Sequence, residues 1–238
     1  MTGPGPRSVL VTGGNRGIGY GIARALADAG HRVAVTHHGS GAPDDLFGVK
    51  CDVAEASSVT DAVAAASAEH GAVEVLVCSA GITRDGLMLR MPEHDWDEVL
   101  DTNLRGSWLA AKAVLPAMAK ARYGRLLFVS SAVGAVGQAG QANYAASKAG
   151  LVGLARSLAR EYAGRGVTSN VLAPGLVDTD MARALSDQQR EAIVDRTPLR
   201  RAATVAEVAA VAAFLTSDAA SYVTGAVVPV DGGLGMGH

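Results

Sequence analysis

This sequence predicts an α/β fold built on one doubly wound parallel sheet, and three observations predict it. Short runs rich in β-branched residues alternate with longer segments whose apolar residues recur at helical spacing. The first run, Ser8 to Thr12, ends in a glycine-rich turn that leads straight into a helical pattern. The run Val73 to Val77 is almost continuously apolar, as a strand covered on both faces should be. With 238 residues, 49% hydrophobic side chains, 29 glycines and only 4% aromatics, the chain suits a single tightly packed domain over 1–238.

The first strand runs into T-G-G-N-R-G-I-G, Thr12 to Gly19, after which Ile18, Ile22, Leu26 and Ala29 mark the buried stripe of a helix closing at Gly30. Gly13, Gly17 and Gly19, interleaved with Asn15, Arg16 and Ile18, let the backbone turn sharply and approach a pyrophosphate, while the helix start offers free N–H groups. A glycine turn without a ligand is the alternative. A second strand, Arg32 to His37, ends without the acidic residue that would hold the 2′-hydroxyl of NAD. Arg16 and His38 lie near that tip instead, which favours NADPH over NADH, although neutral imidazoles hold phosphate weakly.

The third strand, Phe47 to Val53, ends in Cys51-Asp52-Val53, where Asp52 bonds an adenine amino group or caps the following helix. The fourth, Val73 to Val77, ends Cys78-Ser79-Ala80-Gly81, and these small residues leave room for a flat ring. A long helical stretch follows, Trp96 to Ala121, with Asn103 inside it; an internal Asn faces solvent or uses its amide at a kink. The fifth strand, Gly124 to Ser131, precedes a helix over Gln141 to Ala163. The sixth, Val167 to Ala173, leads into P-G-L-V-D-T-D-M, Pro174 to Met181. Residues 178–200, including Ala182 to Leu185 and Asp187 to Val194, read as a lid over the substrate. A last helix, Val205 to Leu215, and a seventh strand, Val223 to Val230, complete the order 3-2-1-4-5-6-7.

Tyr144 and Lys148 stand four apart and leave one helical face, and Ser131 at a strand tip can aim its hydroxyl at them. A cation about 4 Å from a phenol, at an effective dielectric of roughly 20, supplies about 4 kcal/mol toward ionising it. Lys148 is therefore expected to lower the pKa of Tyr144. Tyr-x-x-x-Lys alone also arises by chance and by itself proves nothing.

A net charge of -2 gives no reason to expect nucleic acid. No apolar run reaches membrane-spanning length, and the N-terminus lacks the apolar centre of a signal peptide, so a cytoplasmic location is expected. Cys51 and Cys78 fall on strands separated by two others and read as reduced core thiols; no His/Cys cluster has metal-ligand spacing.

Together, T-G-x-x-x-G-x-G, Asn103, Ser131, Tyr144-x-x-x-Lys148 and Pro174-Gly175 resemble the short-chain dehydrogenase/reductase family over nearly the whole chain. Within it, A-G-I-T-R-D (Ala80 to Asp85), G-Q-A-N-Y-A-A-S-K-A-G (Gly140 to Gly150), N-V-L-A-P-G and S-Y-V-T-G-A-V-V-P-V-D-G-G resemble the bacterial 3-oxoacyl-acyl-carrier-protein reductases of type II fatty acid synthesis. The Thr36 to Val53 stretch and the C-terminal tail are most similar to the actinobacterial branch.

The resemblance implies a Rossmann-type domain and hydride transfer from NADPH to a 3-keto carbon. It implies Tyr144 as proton donor, Lys148 on the nicotinamide ribose, Ser131 on the substrate carbonyl and Asn103 supporting a relay water. Val177 and Thr179 would meet the carboxamide, Arg122 and Arg165 the acidic carrier protein, and the assembly would be a homotetramer. Ser79 stands where the family has Asn, and His38 where near relatives have Arg. A reductase of acetoacetyl-CoA or of a polyketide intermediate is an alternative, and a non-catalytic NADP-binding regulator a remote one.

Overall fold

The computed structural model describes residues 5–183 and 185–236; Ala184 of the expected lid and the last two residues of the tail lie outside them. Seven strands form the sheet: β1 (Ser8–Thr12), β2 (Arg32–His37), β3 (Phe47–Lys50), β4 (Val75–Cys78), β5 (Gly124–Val129), β6 (Val167–Pro174) and β7 (Val227–Val230). The helices are α1 (Gly17–Asp28), α2 (Ala56–His70), α3 (Glu93–Leu100), α4 (Gly106–Ala121), α5 (Val133–Val136), α6 (Ala142–Tyr162), α7 (Asp180–Arg183), α8 (Asp187–Arg196) and α9 (Val205–Thr216). The spatial order is β3-β2-β1-β4-β5-β6-β7, as the sequence predicts, with every neighbouring pair parallel.

Successive residues of a strand face opposite ways, so each central strand feeds two cores. Leu10, Leu76, Leu126 and Phe128 pack on one face under α2, α4 and α6. Val9, Val11, Val77 and Leu127 pack on the other under α1 and α9. Both faces are thereby dry, and the carboxyl tips of the strands open onto loops.

Several boundaries differ from the sequence reading, among them the end of β5, which stops at Val129, two residues short of Ser131. β3 stops at Lys50 rather than Val53 because local side chains take the next backbone groups: Asp52 N–H donates to Ser58 Oγ at 2.9 Å and Ala54 N–H to Asp52 Oδ1 at 3.0 Å. β4 begins two residues later than expected and runs through Cys78. β7 begins at Val227, not Val223, since Asn170 on β6 donates to the Val223 carbonyl at 2.8 Å and accepts from Ala226 N–H at 3.1 Å.

The long helix starts at Glu93 and is widened by one π-helical turn, Asp101–Arg105, before α4. Asn103 is fully buried in that turn, so the kink alternative holds and the solvent-facing one does not. Cys51 and Cys78 are buried free thiols.

Candidate active site

A cleft of about 630 Å³ lies above the carboxyl tips of the strands, with the glycine turn as its floor. Gly13 and Gly17 sit at positive φ, +63° and +55°, which a side chain would strain. A Cβ on Gly13 would stand 2.8 Å from Ala80 Cα, and one on Gly19 would stand 2.4 Å from the Gly13 carbonyl oxygen. The floor therefore admits only glycine. Arg16 precedes α1 in extended conformation and makes no side-chain cap, leaving the first N–H groups of the helix to face the cleft. A flat, glycine-lined floor with uncapped N–H groups fits a dinucleotide pyrophosphate.

Asn15, Arg16, Gly17, Ile18, His38, Asp52, Val53, Ser79, Ala80, Gly81, Tyr144, Lys148 and Thr179 all line this cleft with Gly13 and Gly19, whereas Asn103, Ser131, Pro174, Gly175 and Val177 do not. Val177 is buried and pairs as an isolated bridge with Ala203, and Gly175 packs against Asp231. Asp52 does not cap α2, whose N-cap is Glu55; its Oδ1 closes the turn at Ala54 and its Oδ2 lies 3.4 Å from Nε2 of the exposed His38.

Sequence reasoning missed two threonines at strand tips. Thr36 Oγ1 accepts from Gly13 N–H at 3.1 Å, and Thr12 Oγ1 accepts from Ser79 and Ala80 N–H at 3.2 and 3.3 Å. A threonine following the apolar run of a strand, Thr12 after V-L-V and Thr36 after V-A-V, was the available signal. Thr12 thereby also fixes the turn at Ser79.

At the other end of the cleft, α6 presents Tyr144 half-buried and Lys148 only 5% exposed. Lys148 Nζ donates to the Val129 carbonyl at 2.9 Å and lies 5.6 Å from the Tyr144 ring centroid. Ser131, one residue beyond the cleft wall, accepts from Val133 N–H at 3.2 Å, and its hydroxyl bears on the Tyr144 phenol.

The electrostatics correct the sequence reading. Burial pushes the Tyr144 phenol above its ordinary value; the Ser131 hydroxyl opposes that, and the Asp85 charge adds to it. Lys148 does not figure among the effects on the phenol, since it loses its own charge before a phenol held above its ordinary value ionises. Instead burial brings Lys148 itself down to about 8, against a small opposing effect of Cys78. The Coulomb argument left out the desolvation of both partners.

Asn103 Oδ1 accepts from Ile82 N–H at 2.8 Å, and its Nδ2 donates to the Ile82 carbonyl at 3.0 Å and to Ser147 Oγ at 3.0 Å. Ser147 Oγ donates in turn to the Tyr144 carbonyl at 2.8 Å. The π-turn thus ties the loop after β4 to the turn of α6 that carries the phenol and the ammonium.

Arg122 and Arg165 lie elsewhere. Arg122 ends α4 at φ +55° and donates to the Gly164 carbonyl at 2.9 Å, beside Arg165, at the amino edge of the sheet.

A doubly wound parallel sheet, a glycine-floored cleft at its carboxyl edge and a Ser/Tyr/Lys group beside it define a nucleotide-dependent oxidoreductase. The chain matches the family model described as Enoyl-(Acyl carrier protein) reductase over residues 13–235. It is 52% identical over 232 residues to the 3-oxoacyl-[acyl-carrier-protein] reductase MabA of Mycobacterium bovis, covering 98% of this chain and 94% of that one. Identity to the Mycobacterium avium MabA is 51% over 232 residues, covering 98% and 91%. Identity to the 3-oxoacyl-[acyl-carrier-protein] reductase FabG of Escherichia coli is 46% over 235 residues, covering 95% and 96%. The chain belongs to the short-chain dehydrogenase/reductase family, whose members of this kind use a nicotinamide cofactor. Among the described residues no helix is long and apolar enough to cross a membrane.

Proposed function

We propose that this protein reduces 3-oxoacyl groups carried on acyl carrier protein to 3-hydroxyacyl groups, with NADPH, in type II fatty acid synthesis in the cytoplasm. The observation that carries the reading is the convergence of Ser131, Tyr144 and Lys148 at one end of a cleft floored by Gly13, Gly17 and Gly19. The relatives named above, 46 to 52% identical, give the substrate class.

The glycine turn and the first N–H groups of α1 would hold the pyrophosphate, and Arg16 with His38 the 2′-phosphate. Asp52 and Val53 would flank the adenine. Ser79 to Gly81 would flank the nicotinamide ribose, and the Pro174 to Thr179 segment the carboxamide. When bound, the dihydronicotinamide supplies a hydride.

Tyr144 gives the proton to the carbonyl oxygen as it gains charge, and a phenol held above its ordinary value is fully protonated and ready to do so at neutral pH. Ser131 donates a hydrogen bond to the same oxygen. Lys148 holds the ribose and, titrating near 8, exchanges a proton readily with Tyr144. Asn103 supports the water through which that proton is replaced.

The description of the matching family model favours a second reading, reduction of an enoyl thioester. A wider Tyr-to-Lys spacing would suit that activity, and here the two stand four apart. Acetoacetyl-CoA or a polyketide intermediate remains the alternative keto substrate. NADPH oxidation measured with 3-oxoacyl and 2-enoyl thioesters, each on carrier protein and on CoA, separates these readings. The 3-oxoacyl carrier-protein substrate turns over fastest; preferential enoyl turnover overturns the proposal.

Arg122 and Arg165 sit at the sheet edge opposite the cleft, so a carrier protein resting on them would deliver its thioester to a neighbouring protomer. Exposed Phe214, Tyr222 and Val227, on α9 and beside the open edge at β7, support a homotetramer. Sedimentation as a monomer contradicts that assembly.

A further inference from the structure

The loop that leaves β2, His38 to Gly41, is fixed at both ends. His37 closes the strand in register with Lys50 on β3. Downstream, Ala42 fills the space beside Gly48 of β3, where an added Cβ would stand 2.1 Å from that of Ala42. Gly41 between them takes φ +80°, the left-handed region that lets the chain turn sharply. Asn15 of the glycine turn then reaches across to the loop: its Nδ2 donates to Ser40 Oγ at 2.8 Å and to the Gly41 carbonyl at 3.2 Å.

These two bonds decide what the Ser40 hydroxyl can do. A carbonyl oxygen only accepts, so the Asn15 amide must present its nitrogen to the loop and give one hydrogen to Gly41. The other hydrogen goes to Ser40 Oγ, which therefore accepts from Asn15 and keeps its own proton for a third group. Among the described residues no acceptor takes that proton. Ser40 lines the cleft with Arg16 and His38, at the end formed by β2.

The other groups at this end are less suited to fix a phosphate. The His38 side chain is 83% exposed, and its Nε2 lies 3.4 Å from Asp52 Oδ2, a carboxylate that repels a phosphate. Arg16 supplies charge, but its long exposed side chain must be ordered on binding. The second hydroxyl, Thr36, is buried beneath the glycine turn, where it serves the Gly13 N–H. Ser40 is the donor already held in place.

We propose that Ser40 is a cofactor-specificity residue: latched by Asn15, it donates its hydroxyl proton to the 2′-phosphate of NADPH, beside the charge of Arg16. The inference rests on the NADPH dependence proposed above. A hydroxyl-to-phosphate bond is charge-assisted and stronger than the neutral contact that the 2′-hydroxyl of NADH would offer, so this bond separates the two cofactors.

Equilibrium binding of NADPH and NADH to the full chain, read by the fluorescence of the reduced nicotinamide, tests this without turnover. Ser40→Ala should raise Kd for NADPH about tenfold and leave Kd for NADH within about twofold of the parent. The Gly41 carbonyl still accepts from Asn15 in that variant, so the loop stays latched. Ser40→Thr, which keeps the hydroxyl, should restore NADPH binding. Adenosine 2′,5′-bisphosphate should weaken in parallel with NADPH, and adenosine 5′-phosphate should not.

Asn15→Ala frees the hydroxyl and should weaken NADPH severalfold, after which adding Ser40→Ala costs less than about twofold more. A further loss of about tenfold in the double variant would overturn the latch. Unchanged NADPH binding in Ser40→Ala, or equal losses for both cofactors, overturns the proposal. A parent chain that binds NADH as tightly as NADPH would instead remove the NADPH reading itself, and the two failures are thereby distinguishable.

Discussion

The two edges of the sheet treat a buried cation in opposite ways. At the amino edge, Arg125 is 4% exposed and meets Asp218 at 3.1 Å, the Gly124 carbonyl at 3.0 Å and the face of Tyr123 at 4.4 Å. Arg7 covers the same ring at 3.9 Å and pairs with Glu74 at 2.7 Å, while the Tyr123 hydroxyl donates to Asp218 at 3.0 Å. Two guanidiniums, two carboxylates and one aromatic ring close a neutral clamp across β1, β4, β5 and the turn after α9.

At the carboxyl edge, Lys148 is as deeply buried and, among the described residues, meets a carbonyl and no carboxylate. The amino edge satisfies its charge and holds the strands together. The carboxyl edge leaves a charge unsatisfied beside an open cleft, at a cost in stability.

Lys148→Met breaks this contrast most sharply. Turnover should fall by roughly 10²–10⁴-fold, while the fold at neutral pH gains about 1–2 kcal/mol, a thermal midpoint higher by about 3–6 °C. The sign follows from the lowered pKa. Below about 8 the native state must bury a charged ammonium, and the penalty is relieved as pH rises from about 8 toward the ordinary value of 10.5, so the stability difference vanishes at alkaline pH. A methionine variant less stable than the parent at neutral pH would make Lys148 a structural residue.

Asp218→Asn tests the other edge. It strands Arg125 without a counter-charge and should cost about 2 kcal/mol by urea unfolding, with kcat and KM unchanged. Burial alone would raise the Asp218 carboxyl, but the Tyr123 hydrogen bond and the charges of Arg7 and Arg125 hold it below its usual value. Its contribution is thus complete above about pH 4 and is lost as pH falls through the depressed value, so the parent destabilises more steeply in acid than the Asn variant. Equal acid slopes would remove the carboxylate from the clamp.

Arg16→Ala probes the open edge at its far end. If Arg16 holds the 2′-phosphate, KM for NADPH rises about tenfold and KM for NADH stays where it was, an effect of about 1.4 kcal/mol. Equal changes for both cofactors would assign Arg16 to the turn rather than the phosphate.

The contrast also marks what the sequence could disclose. Strand order and the placing of Tyr144, Lys148 and the glycine turn were legible, because apolar runs, helical spacing and glycine spacing are local signals. The ends of β3 and β7 were not, since Ser58 and Asn170 from other segments take the backbone bonds that would have extended them. Asn103 left two readings open, and burial in the π-turn chose between them. The sign of the Tyr144 shift was misread because spacing reports which charges are neighbours and says nothing about how much water both have lost. The amino-edge clamp went unseen: Arg7, Glu74, Tyr123, Arg125 and Asp218 are scattered over more than 200 positions, and only the parallel sheet gathers them.

The most direct test of the whole account is Tyr144→Phe, assayed for NADPH binding by fluorescence and for turnover with a 3-oxoacyl carrier-protein thioester in the same preparation. The account predicts binding within about threefold of the parent and kcat lower by roughly 10²–10⁴-fold. Turnover close to the parent's, with binding intact, would contradict it.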